Sequence, residues 1–450
     1  MPELLSLPTE TIRDIFHHAD QPTRKSLRLG NRHLAQIGQE SVFKTIHIGA
    51  SQESYDKMDE IIKRPELTQL ITKVNLNTFN TIDFETFDDD QNDDGEMGEM
   101  LFSYVKQLPR VQSVVLRFHP EVEEDEWEDA PQGMSFRSCV MEQSLEALVD
   151  MPSVKELAIR DLQNVNEKDP KTIQDLKMVL GRLKALRLNI ANVSRGMGGS
   201  SDYHRENPQT FFSEFPSTWL KPCLANLEHL TLYSTLYVGF FPKCDFRQLH
   251  FPRLKTLALG NHTFIDDSQL HWILSHSSTL SELYLDDCAI IWEAAVYSDL
   301  SHDEDTYTRT LIPKDSFKPH AHLPERKLYY SYSTRWADYF RAFKEKLVNL
   351  RHFRYGHGID WWTDDCTPFE TETRIPIGFH EESYMVFNDG LLPSEYMQYI
   401  HWEVPDDSVE RGIRYEDGQV LEPSEEDKRA LVELCEALGQ KIDLEREESY

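Results

Sequence analysis

One six-residue pattern, apolar-x-x-apolar-x-apolar, recurs along the chain. It reads ITKVNL (71–76), VQSVVL (111–116), VKELAI (154–159), LKALRL (183–188), LEHLTL (227–232), LKTLAL (254–259), LSELYL (280–285) and LRHFRY (350–355). Successive copies start 40, 43, 29, 44, 27, 26 and 70 residues apart. The last three positions of each alternate, as a strand with one buried face does, so each copy predicts a strand. The stretches 98–109, 144–152, 171–181, 268–277 and 336–347 predict helices between them. In the last of these, Trp336, Tyr339, Phe340, Phe343 and Leu347 share one face. One such strand-helix unit cannot bury its apolar side alone, so neighbours must stack. The segments 117–135, 189–222, 233–250, 286–335 and 356 onward follow the strands and read as insertions, which in stacked repeats project from one edge.

This organisation resembles the leucine-rich-repeat family. LSELYLDDCAI carries its full pattern in Leu280, Leu283, Leu285, Cys288 and Ile290. Where that pattern has Asn or Cys, other copies hold Phe79, His119, Leu162, Ala191, Thr235 or His262. The usual side-chain ladder between turns is therefore missing, and the expected fold is α/β, an irregular leucine-rich-repeat solenoid (horseshoe) over 49–400.

Ahead of the repeats, Leu7-Pro8 leads into Ile12, Ile15, Phe16 and Ala19 at helical spacing. Gln21-Pro22-Thr23 breaks that helix, with Thr23 a candidate cap. A second helix follows with Leu27, Leu34 and Ile37 on one face and Gly38 at its end, then VFKTIHI (42–48) alternates like a strand. Residues 1–48 resemble the F-box in Leu7-Pro8-x-Glu10, Ile12, Ile15-Phe16, Leu27-Arg28-Leu29 with Arg32, and Val42-Phe43-Lys44-x-Ile46. Arg24 and Lys25 stand where that family usually has leucines, and Gly30-Asn31 replaces a Val-Ser/Cys pair.

The order of parts resembles that of F-box/leucine-rich-repeat substrate receptors, and FNDGLLPSEYMQYI (387–400) is similar to the C-terminal portion of a fungal-type group of them. The resemblance implies a small helical F-box-like domain (1–48) that docks a Skp-type adaptor, and through it a cullin, using Leu4, Leu7, Pro8, Ile12, Ile15, Phe16, Leu27 and Leu29. It implies a solenoid that holds an unknown protein substrate for a cullin-RING (SCF-type) ubiquitin ligase. A stand-alone repeat scaffold, its N-terminal helices only capping the solenoid, is the alternative.

Charge sharpens the division. The 450 residues include 78 acidic and 47 basic ones, a formal charge of -31. Residues 1–50 hold six Lys/Arg against five acids, so nearly all of the excess lies beyond them. Such a field disfavours nucleic acid and anionic membrane as partners. Six dispersed cysteines without a CxxC pair signal neither a zinc site nor a disulfide framework. With no leader and no apolar run of membrane-spanning length, the expected location is cytoplasmic and/or nuclear.

Chemistry-bearing motifs are sparse. DQNDDG (90–95) matches the first half of a calcium loop, but its twelfth position is Leu101 rather than Glu. The carboxylates of 121–129 surround Trp127 in a charged run, which suits a basic partner; an acidic-cleft hydrolase would need two of its carboxylates to converge. HAH (320–322) lacks a third ligand, and RGMGGSS (195–201) lacks the Lys-Ser/Thr ending of a phosphate loop. The expectation is no enzyme, no metal and no cofactor. Trp127, Tyr329, Tyr330, Tyr332, Trp361 and Trp362 are the candidate substrate contacts, rigid aromatics of the kind enriched at interaction hot spots, unless they cap the core. The tail (401–450) contains PSEEDKRALVELCEALGQ (423–440), a capped helix with Leu431, Leu434, Cys435 and Leu438 on one face, which is expected to seal the solenoid.

Overall fold

The computed structural model describes residues 4–79, 96–120, 122, 132–193, 203, 205–297, 310–319, 327–358, 368–389, 393–394, 396–402, 413–440 and 442. The chain is a mixed α/β protein with a large parallel sheet and, among these residues, thirteen α-helices. It divides into two compact units, 1–119 with 135–160, and 120–134 with 161–450. Those limits differ from the 1–48, 49–400 and 401–450 partition read from the sequence, because residues 1–48 and the first repeats fall within one unit.

In the first unit the helices are α1 (Thr9–His18), α2 (Gln21–Gly30), α3 (Arg32–Ile37), α4 (Gln39–Phe43), α5 (Gln52–Ile62), α6 (Pro65–Thr68), α7 (Glu96–Lys106) and α8 (Met134–Val149). Its parallel strands are β1 (Thr45–Gly49), β2 (Lys73–Asn77), β3 (Ser113–Arg117) and β4 (Glu156–Gln163), ordered β1-β2-β3-β4. In the second unit the helices are α9 (Pro170–Leu180), α10 (Glu206–Phe215), α11 (Asp267–Leu274), α12 (Trp336–Lys346) and α13 (Glu425–Ala437). Its strands are β5 (Ala185–Ala191), β6 (His229–Ser234), β7 (Thr256–Gly260), β8 (Thr263–Phe264), β9 (Glu282–Asp286), β10 (Ala289–Tyr297), β11 (Lys327–Ser331), β12 (His352–Gly356), β13 (Tyr384–Asn388), β14 (Tyr396–Trp402) and β15 (Ile413–Val420). The parallel ladder of this unit runs β5-β6-β7-β9-β12.

All eight hexads form parallel strands, each entering its strand at the third hexad position. The first apolar residue anchors the approach: Ile71, Val111, Val154, Leu183, Leu227, Leu254 and Leu280 are fully buried. The fourth residues lie in register, Val74 beside Val114 and Val114 beside Leu157 in one unit. In the other, Leu186, Leu230, Leu257, Leu283 and Phe353 do the same. A one-residue slip would turn every one of these to the opposite face, so burial of the apolar set enforces the register.

Several local expectations are corrected. The second N-terminal helix is two, because Asn31 leaves helical geometry (φ -163°, ψ 144°) and caps α3 by accepting from the His33 N–H at 2.7 Å. The cap of α2 is Asp20, which accepts from the Thr23 N–H at 2.8 Å, so Thr23 supplies the donor. Residues 42–43 close α4 rather than open a strand. The 286–335 insertion contributes β10 and β11, an antiparallel pair that β13 and β8 extend.

The tail helix forms as expected. Ser424 and Asp427 cap it reciprocally, and Gly439 follows at φ +72°. The Asp427 carboxylate also accepts from the Ala337 N–H at 2.7 Å, tying α13 to the start of α12. Beyond it, the Gln440 amide donates to the Phe353 carbonyl (3.0 Å) and accepts from the Phe353 N–H (3.1 Å). One side chain thus takes the place of a neighbouring strand on β12, the last of its ladder.

Candidate functional site

The N-terminal helices fold around a small core of their own. Ile12 and Phe16 of α1 meet Leu34 of α3, with Leu4, Leu27 and Ile37 partly buried around them. The Phe16 ring rests on Gly38, where a Cβ would lie 2.2 Å from a ring carbon. Arg24 fastens α2 back onto α1 through a 2.7 Å bond to the His17 carbonyl, which gives this cation a structural task. The Arg28 guanidinium lies over the Phe43 ring at 4.9 Å.

The eight expected adaptor contacts therefore divide. Ile12 and Phe16 are interior, at 1% and 0% exposure. Leu4, Ile15 and Leu27 are half-buried, and Pro8 is exposed. Leu7 stands at 38% and Leu29 at 90%, joined by Leu5 at 37%, which the sequence reading did not single out. Leu29 is far more exposed than a structural leucine needs to be.

The aromatic candidates fare differently. Trp127, Trp361 and Trp362 lie outside the described residues, as do the 90–95, 195–201 and 320–322 motifs; Leu101 is fully buried in α7. Tyr329 and Tyr332 are corrected to interior residues. Tyr329 pairs with Ala295 across β10 and β11 and packs with Val386 and Trp292. Tyr332 donates to the Asp267 carboxylate at 2.9 Å and lies 3.3 Å from the Tyr339 hydroxyl, and burial raises its phenol pKa. Tyr330 is half-buried, with its ring 5.8 Å from Phe317.

In the second unit, part of the insertion read from 356 onward crosses the alternate strand positions that hold Arg187, Thr231, Tyr233 and Arg354. Residues 368–380 contribute two short 3-10 turns and no strand. The Arg187 guanidinium of β5 donates to the Phe369 carbonyl (3.0 Å) and to both Glu372 oxygens (3.0 and 3.3 Å). The Thr231 hydroxyl of β6 donates to Glu372 at 3.0 Å, and the Phe369 ring meets Tyr233 edge-on at 6.0 Å. Farther along, Arg354 of β12 donates to the Ile375 carbonyl at 3.3 Å. Gly356 admits the Pro376 carbonyl so closely that a Cβ would sit 1.9 Å from its oxygen. Burial raises the Glu372 pKa, with Arg187 and Thr231 opposing.

A polar knot follows β9. Asp286 is fully buried and accepts from the Gly358 N–H at 2.7 Å; burial pushes its carboxyl up to about 7. Asp287, at φ +53°, meets Nδ1 of His357 (3.1 Å) and of His380 (3.4 Å) at one oxygen. Both carboxylates are sequestered from solvent, so the pair fastens His357, Gly358 and His380 rather than facing a cleft. The buried thiols of Cys223 and Cys435 are pushed up to about 12, far from the thiolate a nucleophile requires. Among the described residues, no group of three or more His, Cys, Asp or Glu is placed to hold a metal ion. No described helix is long and apolar enough to cross a membrane.

No family model matches this sequence, and no curated protein matches it.

Proposed function

We propose that the chain is the substrate-recognition subunit of a cullin-RING (SCF-type) ubiquitin ligase, working without catalytic residues of its own. The observation that carries this reading is the N-terminal core: α1 and α3 close on Ile12, Phe16 and Leu34 and still leave Leu5, Leu7, Pro8 and Leu29 outward. These outward positions are the ones through which the F-box-like segment takes a Skp-type adaptor. Each leucine buried there contributes about 1.5–3 kcal/mol at most, before association costs.

The leucine-rich-repeat reading of the strands is supported by their order. Within each unit the ladder follows the chain without reversal, with one register repeated from strand to strand. A doubly wound dinucleotide-type sheet instead reverses its order at a switch point, where its ligand binds. Sequential stacking is the behaviour of a repeat array, whose extended surface suits a protein target. The receptor then acts by proximity, raising the effective concentration of a substrate lysine at an activated thioester.

Pull-down with a recombinant Skp-type adaptor tests the proposal. Wild-type protein is expected to be retained, and the Leu7→Asp/Leu29→Asp variant lost. Failure of the wild type to bind would leave the stand-alone scaffold.

A further inference from the structure

The 368–380 strap holds to its sheet face through polar grips on its main chain and one carboxylate, and through the buried side chains of Phe369, Ile375 and Ile377. Arg187 grips a main-chain carbonyl and a carboxylate, Thr231 grips the same carboxylate, and Tyr233 packs on an aromatic ring three residues earlier in the chain. Arg354 takes a second carbonyl farther along. The strap joins no strand, and its main-chain tie to the ladder is the Gly378 N–H, which donates to the Tyr355 carbonyl of β12 at 3.0 Å. Arg187, the cation nearest the Glu372 carboxylate, favours an acidic group at that one position of a ligand, while Glu282 and Asp286 lie farther along the same face.

We propose that the strap is a built-in stand-in for a partner. The face spanned by Arg187, Thr231, Tyr233 and Arg354 is a recognition site for an extended peptide with an aromatic residue three positions ahead of a carboxylate. Such a peptide binds by displacing residues 368–378. Phe369 and Glu372 supply this pattern in the resting chain, both buried against the face. The site is independent of whether the N-terminal helices engage an adaptor, because neither the ligand nor the readout involves the ligase.

The probe is a fluorescein-labelled peptide of residues 367–378, TPFETETRIPIG, titrated into the full-length protein by fluorescence anisotropy. A Phe369→Ala/Glu372→Gln variant, whose strap is weakened, is expected to bind it at least about tenfold tighter than wild type, where the tethered strap competes at high effective concentration. A peptide with Lys at the Glu372 position is expected not to bind. Equal binding to both proteins, or indifference to that lysine, would overturn the proposal. Should the double variant lose its native circular dichroism, wild type answers by hydrogen exchange. Excess unlabelled peptide is expected to speed exchange at 370–378 while β6 stays protected, and unchanged exchange at 370–378 overturns the proposal.

Discussion

Gly38 offers a stringent test of the N-terminal core. Its φ of -79° is open to any residue, so replacement by alanine costs nothing in backbone conformation. By restricting the unfolded chain it would even favour folding by about 0.4–1 kcal/mol. Space decides the sign. The new Cβ would lie 2.2, 2.4 and 2.8 Å from three Phe16 ring carbons, and that ring is fully buried among Ile12 and Leu34. Overpacking of this kind costs about 1–3 kcal/mol, so Gly38→Ala is expected to destabilise the helices by about 1–2 kcal/mol net. Amide exchange along 34–42 reads the local effect, because the Gly38 N–H is bonded to Leu34 and its carbonyl to Val42. A loss of this size speeds exchange about 5–30-fold. Combining the change with Phe16→Leu, which clears the space, is expected to cost less than the two single changes summed. A neutral or stabilising Gly38→Ala, or strict additivity, would refute the packing argument.

Three further outcomes are expected. Glu372→Ala strips the Arg187 guanidinium, itself about one-third exposed, of its carboxylate and should cost about 1–3 kcal/mol after allowance for solvent screening, with Glu372→Gln milder; urea denaturation followed at both variants checks the order. Burial lowers His276 and His380 to about 4 and His262 to about 3, so the unfolded chain binds more protons and stability falls as pH drops from 6.5 through 4. Asp286, raised to about 7, acts in the opposite sense between pH 4 and 7, so Asp286→Asn should steepen the Tm-against-pH profile, and an unchanged slope would count against its burial. Asp427→Ala should destabilise more than Ser424→Ala, which removes only a cap worth about 1 kcal/mol, because it also strands the buried Ala337 N–H; thermal denaturation of the two variants compares them.

The strand framework was legible because each hexad carries three coupled signals: an anchoring apolar residue, a two-residue gap, and an alternating pair. Val74 and Leu76, or Leu283 and Leu285, are buried because their hexads repeat what the neighbouring strand needs. The tail helix was legible because Ser424, Asp427 and Gly439 are local signals. Tyr329 and Tyr332 were misread because YYSYSTRW has a loop-like composition, whereas pairing with β10, more than thirty residues away, places them inside. The division of the second N-terminal helix turns on Asn31, whose capping competes with helix continuation in a way periodicity does not register. Least legible were the contacts of the strap, since Arg187 and Glu372 are 185 residues apart and the hexad that contains Arg187 does not say what its non-apolar positions meet.

Adaptor affinity tests the proposed role most directly. Isothermal titration of the full-length protein with a purified Skp-type adaptor should show saturable one-to-one binding. Leu7→Asp/Leu29→Asp should weaken it by at least about tenfold, the equivalent of 1.4 kcal/mol, while the urea midpoint stays at the wild-type value. Absence of binding by the wild type, or equal affinity of the variant, would contradict the docking role of the N-terminal helices.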